Sequence, residues 1–219
     1  MDMDIEKARF NMIEQQIKPW YVFDERLLGA MSILPRELFV AEEHRKIAYA
    51  DTAIPIGNNQ SMLAPRELAR MIQALELKGH EKLLEIGCGS GYACALLSKL
   101  AKKIYSVDII ADFVKLTQQQ VNRFKLDNVI IEEADATNGC LAHAPYDAIL
   151  ITCAMPKLSN RLKRSLKNNG RIVAIFGNKT TQTVNVCTVD SEGEWAYEAL
   201  FPIRTKSMIN AEQPNRFVF

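Results

Sequence analysis

Apolar residues recur at helical spacing in three stretches of the first third of the chain, and each stretch predicts a helix. The first ends before Pro19, because proline interrupts the hydrogen bonds of a helix interior. Asp24 can cap the second helix, which Pro35 closes, and Pro65 lies in the first turn of the third. The apolar positions are Ile5, Ala8, Met12, Ile13 and Ile17; Leu27, Leu28, Met31 and Leu34; and Leu68, Met71, Ile72 and Leu75.

Residues 48–63 separate the second predicted helix from the third. They contain Pro55, Gly57, Asn58 and Asn59, residue types that favour turns. We therefore expect an irregular loop here, of the length that often carries function in a compact domain.

Short apolar runs alternate with amphipathic stretches from about residue 80 onward. This alternation predicts an α/β fold with a mostly parallel, doubly wound sheet covered by helices on both faces. Two runs separated by Glu192-Gly193 predict an antiparallel edge after residue 177. The predicted strands are 82–87, 103–108, 128–133, 147–152, 171–176, 181–189 and 195–203, and the predicted helices are 91–101, 111–125 and 157–168. We expect one structural unit, with a helical extension and substrate loop at 1–79 packed on a core at 80–219.

Four polar residues lie at or just past the ends of predicted strands. They are Glu85, Asp108, Asp135 and Thr152. Because ligands of open parallel sheets bind in the crevice outside the carboxyl ends of the strands, we expect these side chains to converge on one site.

The first strand of this region runs into a glycine-rich turn, Gly87-Cys88-Gly89-Ser90-Gly91. Glycine tolerates positive φ and lets a ligand approach the backbone closely. Asp108, at the end of the next strand, can accept hydrogen bonds from ribose hydroxyls. Together these features predict a pocket for a cofactor that contains adenosine.

The spacing of the turn distinguishes between such cofactors. Dinucleotide sites favour G-x-G-x-x-G, whereas this turn is G-x-G-x-G and is followed by Tyr92. A carboxylate at Glu85 would repel a pyrophosphate but suits the ammonium end of S-adenosyl-L-methionine. A P-loop is excluded, because no G-K-[ST] follows. The pattern favours S-adenosyl-L-methionine, and a purely structural strand-to-helix turn is the alternative.

Composition narrows the class of protein further. The chain has 219 residues, of which 48% are hydrophobic, and its 27 basic and 26 acidic residues give a net charge of +1. That balance provides no electrostatic reason to expect a nucleic acid or an anionic membrane as a partner. The oligomeric state, monomer or dimer, does not follow from the sequence.

The cysteines and histidines predict no metal site. Neither a C-x-x-C pair nor zinc-site spacing is present, so we expect reduced thiols. The acidic N-terminus lacks the apolar core of a signal peptide, and no apolar run approaches the roughly 20 residues needed to cross a bilayer. We expect a cytoplasmic protein. The cysteines are Cys88, Cys94, Cys140, Cys153 and Cys187.

Beyond these patterns, the chain resembles the protein-L-isoaspartate (D-aspartate) O-methyltransferase family from about residue 8 to about residue 180. Several matching segments lie outside the glycine turn, which makes the resemblance more specific than a generic methyltransferase loop. The segments are Met12 to Ile17, Pro35 to Val40, Ala48 to Thr52, Pro55 to Gly57, Gln60 to Pro65, Leu84 to Tyr92 and Ala144 to Ile149.

The resemblance implies a Rossmann-like methyltransferase fold that uses S-adenosyl-L-methionine and releases S-adenosyl-L-homocysteine. It also implies a protein or peptide substrate that bears isoaspartate, methylated on its carboxylate as a step of repair. The residues implied at the cofactor are Glu85, Gly87 and Gly91 at its methionine end, Asp108 at the ribose, and Asp135 and Ala136 at the adenine. Cys88, Gly89, Ile109 and Thr152 are also implied in the cofactor site. Those implied at the active centre are Gln60, Ser61, Leu63 and Thr152.

Two positions depart from the family pattern. Leu63 stands where the substrate loop of the family has a serine, and Ala136 replaces a usual glycine. A leucine offers neither a donor nor an acceptor. A methyltransferase with a different acceptor, or a protein that binds the cofactor without turnover, therefore remains as an alternative function.

Overall fold

The computed structural model describes residues 4–178 and 180–211, which form helices and two β-sheets. The strands are β1 (Ile54–Gly57), β2 (Gln60–Met62), β3 (Lys82–Ile86), β4 (Lys103–Asp108), β5 (Val129–Glu133), β6 (Tyr146–Met155), β7 (Leu166–Gly177), β8 (Gln182–Val189) and β9 (Trp195–Pro202). The α-helices are α1 (Ile5–Met12), α2 (Glu25–Ile33), α3 (Pro65–Gln73), α4 (Tyr92–Ser98), α5 (Ala111–Phe124) and α6 (Asn160–Arg164). A π-helix covers Ile13–Ile17, and 3₁₀ helices cover Lys18–Trp20, Arg36–Phe39 and Glu42–Ile47.

The central sheet has seven strands in the order β5-β4-β3-β6-β7-β8-β9. Strands β5, β4, β3, β6 and β7 run parallel to one another. Strand β8 is antiparallel to β7, and β9 is antiparallel to β8. This arrangement confirms the predicted α/β fold with its antiparallel edge. The strand order reverses between β3 and β6, and ligands of such sheets bind at that switch point.

Capping residues set the boundaries of the N-terminal helices, as expected. The Asp24 carboxylate accepts hydrogen bonds from the backbone N–H groups of Arg26 and Leu27, at 2.9 and 3.2 Å. These bonds satisfy donors that the first turn of α2 would otherwise leave unpaired.

The loop expected at residues 48–63 is more ordered than predicted. Strands β1 and β2 form a small antiparallel hairpin, in which Ile54 pairs with Met62. Its turn is made by Gly57, Asn58 and Asn59, all with positive φ. Glycine and asparagine tolerate this conformation best, so the residues that suggested an irregular loop instead form a tight hairpin turn.

The helix predicted at 157–168 was wrong in its extent, because α6 covers only Asn160–Arg164. Ser159 caps α6 by accepting a hydrogen bond from the Leu162 N–H at 3.1 Å, and the helix ends at Arg164. The chain from Leu166 then joins the sheet next to Tyr146. The apolar stripe that suggested a long helix is buried nonetheless, because Leu166 fills the same core from a strand.

The helix predicted at 91–101 also ends early, at Ser98. The Asn128 side chain donates hydrogen bonds to the carbonyls of Ser98 and Ala101, at 2.9 and 3.0 Å. A distant side chain thus satisfies carbonyl groups that a longer helix would have used.

Alternating side chains of the sheet face two separate apolar clusters. Leu83 contributes to one cluster and Leu84 to the other, as the pleat of a strand requires. The first cluster joins the N-terminal helices to the sheet, so residues before and after position 80 share buried surface. Members of the first cluster include Met12, Ile17, Leu27, Leu97 and Val173, and members of the second include Ile149, Leu162 and Ile172.

Candidate functional site

A cavity opens at the carboxyl ends of β3, β4 and β6, where the strand order of the sheet reverses. The space between its walls, counted with the solvent at its open side, is about 670 Å³. The predicted site residues on its wall are Gln60, Ser61, Gly87, Gly89, Asp108, Ile109, Asp135, Ala136 and Thr152. The structure therefore brings most of the predicted set together.

The glycine turn after β3 is fixed from two sides. The N–H of Gly87 donates to the Val107 carbonyl at 2.9 Å, and the Thr152 hydroxyl donates to the Gly87 carbonyl at 3.0 Å. Gly87 has φ of +92°, and a Cβ there would lie 2.8 Å from the Thr152 hydroxyl oxygen. Only glycine adopts this φ without strain and leaves room for the Thr152 hydroxyl.

Gly91 closes the turn at the start of α4. Its φ is +83°, and a Cβ there would lie 3.2 Å from a carbon of the Thr117 side chain on α5. The close approach of α5 explains why the third glycine of the turn is needed.

Asp108, the last residue of β4, is buried and lies on the cavity wall. Its carboxylate accepts hydrogen bonds from the N–H groups of Gly89, at 3.1 Å, and Ile110, at 3.0 Å. A carboxylate has about four lone pairs. Asp108 therefore holds the glycine turn against β4 and retains acceptor capacity toward the cavity.

Glu85 lies elsewhere than the sequence suggested. It is the penultimate residue of β3, its side chain is completely buried, and it does not line the cavity. Its carboxyl group accepts a hydrogen bond from the Ser106 hydroxyl at 2.5 Å and also interacts with the Cys94 thiol of α4. Sequence reasoning placed this acid at the end of the strand, but the pleat turns it toward the face that α4 covers.

Burial has a strong electrostatic consequence for Glu85. Removal from water disfavours the charged carboxylate and raises its pKa to about 8, although the Ser106 hydroxyl opposes that rise. Glu85 is therefore largely protonated at neutral pH, and it does not present a negative charge to the cavity.

Asp135 and Ala136 form part of the cavity wall next to β4. The exposed Asp135 carboxylate accepts hydrogen bonds from the backbone N–H and the hydroxyl of Thr137, and from the Asn210 amide at 2.9 Å. These bonds lower its pKa. Asp135 thus shapes the turn after β5, and the adjacent Ala136 is buried.

The β1–β2 hairpin covers the opposite side of the cavity. Gln60 and Ser61 line it, and the Ile56 side chain lies 3.1 Å from the place where a Cβ on Gly89 would be. The hairpin therefore sits directly over the glycine turn, which brings the predicted substrate loop to the predicted cofactor loop.

A smaller cavity adjoins the first on the far side of the glycine turn. Cys88 and Leu63 lie on its wall, together with Tyr92, Ser61 and Thr152. Leu63 is buried, and the side chain offers this space only an apolar surface.

Arg36 fixes the backbone at Leu63. The guanidinium group is fully buried and donates hydrogen bonds to the carbonyls of Leu63, at 2.7 Å, and Ala48, at 2.8 Å. It also lies over the Tyr92 ring, 5.0 Å from the centroid. Burial lowers its pKa to about 10, so Arg36 remains a cation at neutral pH.

The C-terminal segment contributes wall residues that sequence reasoning missed. Thr205, Ser207, Met208 and Ile209 line the first cavity. Backbone hydrogen bonds join the segment to Ala154, which donates to the Lys206 carbonyl at 2.9 Å and accepts from the Met208 N–H at 2.7 Å. No local motif marks these residues, because they reach the site only through pairing with the end of β6.

The thiols near the cavity are buried. Burial raises the pKa of Cys88, and it raises the pKa of Cys153 to about 12. Both therefore remain neutral thiols, and all five cysteines are free. Within residues 4–178 and 180–211, no group of three or more His, Cys, Asp or Glu side chains is placed to hold a metal ion. The helices described in the structure include none long and apolar enough to span a membrane.

Comparison with known proteins identifies one family. The model of the protein-L-isoaspartate (D-aspartate) O-methyltransferase family matches residues 7–209. The match covers all the strands and the C-terminal wall of the cavity.

Curated relatives agree with this match. Protein-L-isoaspartate O-methyltransferase 1 of Syntrophobacter fumaroxidans is 38% identical over 87% of this chain and 89% of its own length. The protein-L-isoaspartate O-methyltransferase of Geobacter metallireducens is 39% identical over 87% of this chain and 88% of its own length.

Two solved structures share the fold. One, a protein-L-isoaspartate O-methyltransferase, has a TM-score of 0.79 at 21% identity and covers 92% of this chain and 65% of its own. Another, from Plasmodium falciparum, was solved with S-adenosyl-L-homocysteine and carries the name of the same enzyme class. It has a TM-score of 0.76 at 20% identity, over 94% of this chain and 99% of its own.

Proposed function

The chain belongs to the protein-L-isoaspartate (D-aspartate) O-methyltransferase family, and we propose that it methylates the free carboxylate of isoaspartyl residues in damaged proteins, with S-adenosyl-L-methionine as methyl donor. The observation that carries this proposal is the shared cavity at the strand ends. There the glycine turn and Asp108 face the β1–β2 hairpin across one space.

The cavity fits the cofactor in its shape and in its chemistry. Gly87 and Gly89 on the cavity wall carry no Cβ, so a ligand can approach the backbone of the turn closely. Asp108 would accept hydrogen bonds from the ribose hydroxyls. Apolar side chains of Ile109 and Phe113, with the small Ala136, would enclose the adenine.

The methionine end of the cofactor would lie toward the second cavity, next to the glycine turn. Cys88 and Gly89 line this space, whereas the protonated Glu85 stays behind the turn. Glu85 would then act by supporting the turn from within the core, rather than by pairing with the ammonium group.

When bound, the cofactor supplies an electrophilic methyl group on a sulfonium. An isoaspartyl carboxylate has an unperturbed pKa of about 4 and is already ionised near neutral pH, so the protein needs no general base. The main work of the residues is to position the acceptor, which is worth effective molarities on the order of 10⁵–10⁸ M in well-oriented systems. Gln60, Ser61 and Thr152 line the cavity where they could orient such an acceptor.

Methylation explains how the reaction could serve repair. The methoxy group of the ester leaves far more readily than an oxygen of the free carboxylate. The neighbouring backbone amide nitrogen can therefore attack the ester carbonyl carbon and expel methanol. The resulting succinimide then takes up water and opens partly to normal aspartate.

Leu63 favours one alternative, a methyltransferase of the same fold with a different acceptor. The side chain is buried on the wall of the second cavity, where a serine would offer a hydroxyl. An acceptor with an apolar surface would suit this wall better than one that is polar throughout.

We further propose that the protein acts in the cytoplasm and needs no nucleic acid partner. The free thiols support a reducing compartment. The balanced charge gives no reason to expect nucleic acid at the site.

Two measurements test the proposed function together. Titration of S-adenosyl-L-homocysteine into the purified protein should release the heat of one binding site. Radiolabelled methyl transfer to an isoaspartyl peptide should then give a base-labile label, as expected for a methyl ester. Label on other acceptors alone would favour the alternative acceptor, and binding without any label would indicate a protein that has lost turnover.

A further inference from the structure

The C-terminal segment is anchored to the sheet where it lines the cavity. The buried Gln182 side chain makes two hydrogen bonds with the Thr205 backbone, at 3.0 and 2.7 Å. Ser207 forms a parallel bridge with Ala154 at the end of β6. Residues 205–207 are thus anchored to the sheet on both sides of Lys206.

Lys206 joins this segment to the hairpin. Its ammonium group donates a hydrogen bond to the Asn59 side-chain oxygen at 3.0 Å, next to Gln60 on the cavity wall. Its neighbours Thr205 and Ser207 line the same cavity. Lys206 is not itself a wall residue; its exposed side chain reaches from the C-terminal wall to the turn of the β1–β2 hairpin, beside the cavity.

The charge around the cavity suits a cationic ligand better than an anionic acceptor. Asp108 and Asp135 are on the wall, and among the described lining residues of the two adjoining cavities there is no Lys, Arg or His. A carboxylate acceptor must therefore approach against negative charge, unless a cation stands near the entrance. Lys206 is exposed beside the cavity, and its hydrogen-bond partner, the Asn59 side chain, is a neutral amide.

We propose that Lys206 binds the acceptor carboxylate at the mouth of the cavity and so contributes to the selection of isoaspartyl substrates. This assignment rests on the proposed function. An ammonium group has three donors, so the bond to Asn59 can fix its position while two donors remain for the substrate. Charge-assisted bonds of this kind are stronger than neutral ones.

A pair of synthetic peptides tests the assignment without turnover. Both have capped ends and no other acid; one contains isoaspartate, and in the other the same carboxylate is replaced by a carboxamide. Each is titrated into the protein saturated with S-adenosyl-L-homocysteine, which lacks the sulfonium charge. The ratio of the two dissociation constants then reports how strongly the protein itself prefers the anion.

Variants with and without the charge isolate Lys206. We expect Lys206→Gln to reduce the preference for the carboxylate peptide about five-fold, the size of a good solvent-exposed ion pair, whereas Lys206→Arg should retain it. Asn59→Asp should also reduce it, because the new carboxylate would pair with the ammonium group. Lys99→Gln is the matched control, since Lys99 is exposed at the end of α4 that leads into β4, away from the strand ends that form the site.

The outcomes separate this assignment from the proposed function. An unchanged ratio in Lys206→Gln, equal weakening of both peptides, or a wild-type protein that shows no preference or binds neither peptide would overturn the role of Lys206. If Lys206→Gln binds S-adenosyl-L-homocysteine as tightly as the wild type does, its loss of peptide preference does not come from a disturbed fold. If Lys206→Gln lowers the preference for the carboxylate peptide but the wild type transfers no methyl group to it, the proposed function fails while the role of Lys206 stands.

Discussion

The Thr152 hydroxyl donates a hydrogen bond to the Gly87 carbonyl at 3.0 Å, and this bond connects the end of β6 to the turn that follows β3. The two strands are neighbours in the sheet, although Gly87 and Thr152 are 65 positions apart in the chain. The switch point of the sheet thus shapes the turn directly.

Removal of this hydroxyl should loosen the turn. Thr152→Val keeps the shape of the side chain but loses the bond, and we expect affinity for S-adenosyl-L-homocysteine to fall roughly five- to ten-fold, as for the loss of about 1 kcal/mol. Thr152→Ser, which retains the donor, should bind nearly as well as the wild type. Calorimetry on the three proteins decides the matter, and equal affinity of the valine variant would remove Thr152 from this role.

Asp108→Ala should weaken binding of S-adenosyl-L-homocysteine by about 1.5–3 kcal/mol, because charged hydrogen bonds to a ribose would be lost. The bonds to the N–H groups of Gly89 and Ile110 would be lost as well. Glu133→Ala provides a matched control, since the exposed Glu133 pairs with Asp108 in the neighbouring strand. If both variants bind as tightly as the wild type, Asp108 does not hold the ribose.

Leu63→Ser should raise the rate of isoaspartyl methylation, because it supplies a hydroxyl group where the second cavity is now apolar. Leu63→Ala removes similar volume without the hydroxyl and should give no gain. Both variants should lose stability, by roughly 2–5 kcal/mol, because they truncate a buried leucine. Initial rates with one isoaspartyl peptide compare the three proteins, and a gain in the alanine variant alone would point to the volume of the cavity instead.

Glu85 should make the protein less stable as the pH rises. Its pKa in the folded protein is about 8, above the ordinary value of 4.5, so the native state binds more protons than the unfolded state between these values. The free energy of unfolding should therefore fall through this window, by roughly a few kcal/mol in total. Denaturant unfolding at several values from about pH 5 to about pH 8.5 measures how the free energy of unfolding changes with pH across this window.

Glu85→Gln should flatten that profile, because the amide does not ionise but can still accept the hydrogen bond from Ser106. Its affinity for S-adenosyl-L-homocysteine should stay close to that of the wild type, since Glu85 does not line either cavity. A parallel shift of the stability curve at every pH would contradict the raised pKa. A large loss of affinity would show that the carboxyl group reaches the ligand after all.

Much of the fold followed from local patterns in the chain. The alternation of apolar runs gave the parallel strands and the antiparallel edge, because each side chain in a strand must face one layer or the other. Element lengths were less predictable. The α6 helix is short because Leu166 pairs with β6, and a helical stripe of leucines does not reveal that pairing.

The candidate site shows the same division. The glycine turn and Asp108 could be recognised from the sequence, because positive φ and a strand-end acid leave local signatures. The orientation of Glu85 could not, since it depends on which face α4 covers. Lys206 gave no signal at all, because its contact with Asn59 joins residues 147 positions apart.

The sequence by itself determined the α/β class, the position of the glycine turn and the identity of the acid that follows it. These properties depend on backbone preferences and on the two-residue period of a strand, both of which act over short distances. Only the tertiary structure decided that Glu85 is withdrawn into the core and that the C-terminal segment completes the cavity. Burial and strand pairing between distant parts of the chain set both outcomes, and neither leaves a local pattern.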